Sequence, residues 1–141
     1  MPSLKAHATL TWLLRILGVL TLTALVGTVM PTDWMSEVND RLGLDPLQRS
    51  PLTEYLTRSL SAVYALFGAL TLFVSRDVGR YQPFILFAGK LTVLLGVFLS
   101  VLDFWAGMPA SWSWGEGPPT VALGWWMVWL AGRVEAEPGD G

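Results

Sequence analysis

The sequence predicts an all-helical membrane protein: four transmembrane helices in a bundle, with a short interfacial helix in the first loop. Three observations carry this. Hydrophobic residues make up 52% of the 141 and charged residues only 14%, where a soluble domain of this size carries roughly a quarter charged. The mean hydropathy is +0.49. Four stretches are apolar enough, at about 20 residues, to cross a hydrocarbon core. Backbone groups in lipid must be satisfied internally, so helices are expected, and the alternating ten-residue segments of a barrel are missing.

The first span is expected from about Leu10 to Met30, stopped by Pro31. Its length and the internal Arg15 argue for a retained span rather than a cleaved signal peptide. The second runs from about Leu56 to Ser75, the third from about Pro83 to Trp105 and the fourth from about Thr120 to Gly132. The fourth is short, and Pro118 and Pro119 are expected in its first turn, where proline is tolerated. Residues 1–134 thus read as one four-span domain, and residues 135–141 as a disordered acidic tail.

The first loop, from Pro31 to Tyr55, is patterned. Thr32 or Asp33 is placed to cap a short helix and Gly43 to end it, with Trp34, Met35, Val38 and Leu42 near one face. Ser50-Pro51 reads as a cap followed by proline at the first helical position. Glu54 and Arg58 then stand one turn apart as an i,i+4 pair.

Orientation follows from lysine and arginine in the short loops. Lys5, Arg76, Arg80 and Arg133 lie on one side. The other side holds Arg41 and Arg49, diluted by Asp33, Glu37, Asp40, Asp45 and Glu54, and a loop from Ala106 to Gly117 whose only charge is Glu116. Both termini are expected in the cytoplasm, in a bacterial inner membrane.

Charges within spans cost about 2.5 to 3.5 kcal/mol each at the centre, so each needs an account. Arg58 and Asp103 fall near the outer ends of spans two and three and are expected to form a structural ion pair. It would close a seam between a stripe of Ser61, Ala62, Ala65 and Ala69 and a stripe of Gly89, Thr92, Gly96 and Ser100. Arg15 and Lys90 lie in inner halves; with Arg76 and Arg80 they are candidates for a basic pocket that holds an anionic lipid headgroup. Snorkelling to the interface is the simpler account of both.

Little points to chemistry. The chain has no cysteine and one histidine, His7, which leaves no thiolate site and no His-built metal site or triad. The serines of the Ser111–Gly117 stretch have no histidine or lysine near them in sequence to activate them. Trp125 and Trp129 share a face of the fourth span, and packing or lipid contact is their ordinary use. No catalytic residue, metal site or cofactor is expected. The charge of −2 and the paucity of basic residues argue against nucleic acid.

The opening Leu13-Leu14-Arg15-Ile16-Leu17-Gly18 and the proline that ends the first span resemble the DoxX-like group of small bacterial four-helix membrane proteins. The resemblance implies a membrane subunit of an oxidoreductase or redox-maintenance complex and carries over no catalytic residue. The function expected is a non-enzymatic accessory subunit or self-assembling bundle, with membrane lipid and further copies or a larger membrane complex as partners. The alternative is a binder or carrier of an anionic lipid or small amphiphile.

Overall fold

A computed structural model describes residues 2–43 and 50–134. Arg49, Asp45 and the acidic tail at 135–141 lie outside the described residues. Every regular element among the described residues is a helix: α1 (Pro2–Leu22), α2 (Leu25–Val29), α3 (Thr32–Arg41), α4 (Pro51–Val74), α5 (Gln82–Ala106) and α6 (Ala110–Ala131). Three helical stretches are long and apolar enough to cross a membrane, namely Leu4–Val29, Pro51–Val74 and Gln82–Ala106. The helices group into two compact units, residues 1–13 with 74–141, and residues 14–73. Each is described by itself.

In the unit formed by residues 14–73, α1 and α2 are nearly continuous. The join at Thr23–Ala24 is a tight turn: Ala24 N–H donates to Thr21 O at 3.1 Å and Gly27 N–H to Ala24 O at 2.9 Å. The Thr21 and Thr23 hydroxyls bond back to Leu17 O and Leu20 O, which locally bends a helix. Pro31 then ends the apolar stretch, as expected. α4 runs antiparallel to α1 and α2. A Cβ at Gly68 would lie 2.5 Å from Leu22 N and 2.8 Å from Gly18 O, and one at Gly27 would lie 2.6 Å from Ser61 Oγ. Close approach of this kind is how helices associate without a hydrophobic driving force.

Ser50 caps α4 as its sequence foretells, accepting from Thr53 N–H at 3.1 Å. α3 differs from expectation in its cap. Pro31 occupies the cap position, so Thr32 is already helical and its hydroxyl donates to Glu54 Oε1 at 3.0 Å. Gly43, with φ of +69°, follows the helix end as expected. No residue of α3 is fully buried. Trp34, Val38 and Leu42 form an exposed apolar stripe, flanked by Asp33, Glu37, Asp40 and Arg41.

In the other unit, α5 and α6 form an antiparallel hairpin. Gly107, with φ of +70°, and a bond from Met108 N–H to Asp103 O close α5. Gly89 and Gly96 on α5 meet Gly117 and Gly124 on α6. A Cβ at Gly124 would lie 2.6 Å from Val93 N, and one at Gly89 would lie 3.2 Å from Gly124 O. At the far end Gln82 Nε2 donates to Ala131 O at 3.1 Å, so the register holds over the whole hairpin.

The fourth segment departs from its predicted form. α6 starts at Ala110, well before Thr120, and the expected loop at 110–117 is helical. Pro118 and Pro119 therefore stand inside the helix, not in its first turn. They remove the donors that would serve the carbonyls of Trp114 and Gly115. The prolines, glycines, serines and Glu116 of its first half also keep α6 out of the set of helices apolar enough to span.

Candidate functional site

Within each unit small residues make close approaches between helices. Gly89, Gly96 and Ser100 face α6, while Ser61 and Gly68 of α4 face α2 and α1. Helical periodicity identifies a face; it does not name the neighbour.

Arg58 and Asp103 belong to different units, so each is described by its own surroundings. Arg58 is half-buried and donates from Nη1 to Thr28 O at 2.7 Å, near the end of α2. A cation there also complements the partial negative charge of a helix C-terminus. Glu54 takes Thr32 rather than Arg58, so the i,i+4 pair is not formed. Thr28 Oγ1 is buried without a hydrogen-bond partner. In the other unit Asp103 is buried at 5% exposure, in line with Gly89 and Gly96, and its Oδ2 has no partner.

The basic residues divide in the same way. Arg15 counts with residues 14–73; Arg76, Arg80 and Lys90 count with the α5–α6 hairpin. All four are exposed. Lys90 stands eight residues into α5, about 12 Å along the axis from Gln82. Arg76 and Arg80 lie instead in the connection that precedes α5. That connection is pinned: Val78 and Ser75 are buried, and Arg80 N–H donates to Asp77 Oδ1 at 3.0 Å. The Arg80 guanidinium lies 5.9 Å from the centroid of the Tyr81 ring.

A fifth cation joins this end. Arg133, two residues beyond Ala131, lays its guanidinium 3.7 Å from the centroid of the Trp129 ring. In the sequence Arg133 stands out only as one of the cations that set the expected orientation. The signal that marks it is the i,i+4 spacing of Trp129 and Arg133 at the end of a helix.

At the opposite end of the hairpin, Trp112 Nε1 donates to Glu116 Oε2 at 2.6 Å, inside the first turns of α6. Beside it an open cleft of about 490 Å³ is bordered by Ser100, Phe104, Met108, Ser113, Trp114 and Pro118. Among the described residues no group of His, Cys, Asp and Glu is arranged to hold a metal ion. The two serine hydroxyls of the cleft donate to backbone carbonyls, Ser100 to Gly96 O and Ser113 to Pro109 O.

No family model, curated protein or solved structure matches the chain.

Proposed function

We propose that the chain is a four-span integral membrane protein of a bacterial inner membrane, with both termini cytoplasmic. In this reading it serves as a non-enzymatic accessory subunit or self-assembling bundle. α3 lies in the outer interface with its Trp34, Val38 and Leu42 stripe toward lipid. The observation that carries the reading is the relation of α6 to α5. α6 is too polar to rank as a span by itself, yet it follows α5 glycine against glycine from Ser100–Gly117 to Gln82–Ala131. Its other sides expose Trp125, Trp126 and Trp129. A marginal span held to its neighbour, with three exposed tryptophans, suits contact with further protein in the bilayer.

Lys5, Arg76, Arg80 and Arg133 support the orientation. The likeness to the DoxX-like group, carried by Leu13–Gly18 and Pro31, accords with a subunit role. Native mass spectrometry of the full-length protein, gently extracted from its own membrane, tests the reading. A fixed homo-oligomer or a bound second protein supports it. A monomer with nothing bound overturns it, and a monomer with one retained small amphiphile overturns it in favour of a carrier.

A further inference from the structure

We propose that Arg76, Arg80 and Arg133 together form a docking surface for the headgroups of anionic phospholipids. The proposal rests on the membrane-spanning reading and adds to it a partner and a place. All three arginines belong to one unit and to one end of it. The Gln82–Ala131 hydrogen bond joins the start of α5 to the end of α6, with Arg80 two residues before it and Arg133 two residues after it. Buried Val78 and Ser75 hold the preceding connection against the protein, so Arg76 and Arg80 are displayed outward, and both are exposed.

Among the described residues of this end, three guanidinium groups stand against Asp77, one of whose oxygens already accepts from a backbone N–H. α5 has no acidic residue in its first turn. The Arg133 guanidinium lies over the Trp129 ring, 3.7 Å from its centroid, and its N–H donors remain for a ligand. Those donors engage phosphate oxygens in pairs, on top of the charge that a lysine ammonium would also supply.

Position selects a lipid over a free phosphate. Phe84 and Phe87, in the first turns of α5, are exposed apolar side chains directly beyond the arginines. The 25 residues of α5 measure about 37 Å, enough to put its start at headgroup depth. By the lysine and arginine bias this end faces the cytoplasm, the side on which anionic lipids attract basic residues.

The test uses the full chain, reconstituted in phosphatidylcholine containing a minor fraction of phosphatidylglycerol. Lipids that stay bound are then counted by native mass spectrometry. The wild type should retain phosphatidylglycerol preferentially. Each arginine changed to glutamine should lower that preference about five-fold, the equivalent of about 1 kcal/mol per basic residue near a membrane surface. Arg41→Gln, on α3, should leave it unchanged. Replacing all three by lysine should restore much of the preference that the triple glutamine variant loses. Loss in both triple variants would mark a folding defect and overturn the assignment. So would equal retention by wild type and the triple glutamine variant, or displacement of the lipid by soluble glycerol phosphate. A wild type embedded in the bilayer without lipid preference overturns this proposal alone. A wild type absent from the membrane fraction overturns the spanning reading as well.

Discussion

Gly96 and Gly117 are reciprocal neighbours: a Cβ on Gly96 would lie 2.9 Å from the carbonyl oxygen of Gly117, and one on Gly117 would lie 3.1 Å from that of Gly96. Neither helix can move aside without breaking the register that Gln82 and Ala131 fix at the other end. Gly96→Ala should therefore destabilise the protein by about 1 to 3 kcal/mol, the usual cost of overpacking. Gly115, on the same helix as Gly117, has open space where its Cβ would be. Gly115→Ala should be neutral or stabilise by up to about 1 kcal/mol. Unfolding midpoints of both variants in one detergent check the contrast, and equal behaviour would refute it.

Ser50 offers a second measurement. Its hydroxyl satisfies Thr53 N–H at the start of α4. Ser50→Ala should cost about 1 kcal/mol and Ser50→Asp much less, since Asp caps equally well. Faster amide exchange at Thr53 in the alanine variant would locate the loss.

The Arg58 guanidinium supplies a charged donor to the Thr28 carbonyl near the end of α2. Arg58→Met should cost about 1.5 to 3 kcal/mol, the range for a hydrogen bond to a charged group. Lysine keeps the charge and should recover part of it. Urea titration of the three proteins would show the order, and a methionine variant as stable as the wild type would remove the interaction from the account.

The absence of cysteine makes the topology directly measurable. In a four-span protein, Ser111→Cys should react with a membrane-impermeant maleimide on intact cells. Arg133→Cys should react only after permeabilisation. Labelling of both from the same side would mean that α6 does not cross.

Much of this fold can be read without coordinates because a bilayer leaves few options. Length and hydropathy locate α4 and α5, the Ser50-Pro51 pair marks a helix start, and Pro31 and Gly43 mark ends. Sequence reasoning failed where a local rule had two outcomes. A Pro118–Pro119 pair suits a first turn, but the helix begins earlier, at Ala110 behind Pro109, and the pair falls inside it. The glycine face of α5 is legible as a face, but side-chain period carries no record of which helix lies opposite, and it is α6 that meets Gly89 and Gly96. For the basic residues, counting puts Arg76, Arg80 and Arg133 on one side but does not show that Arg133 lies over Trp129. Its stacking on Trp129 depends on the rotamers of two long side chains at a helix end.

The dependence of α6 on α5 has a consequence for biosynthesis. A segment with two internal prolines and a polar first half is a poor candidate for leaving the translocation channel sideways by itself. The three residues between α5 and α6 let it emerge against a neighbour that has already partitioned into lipid. In the proposed four-span arrangement the C-terminal half would enter the membrane as a hairpin, and the order of synthesis would become part of what specifies the final topology. Lengthening that turn with a flexible insert should leave α5 inserted while stranding α6 on the side where Ser111 is labelled.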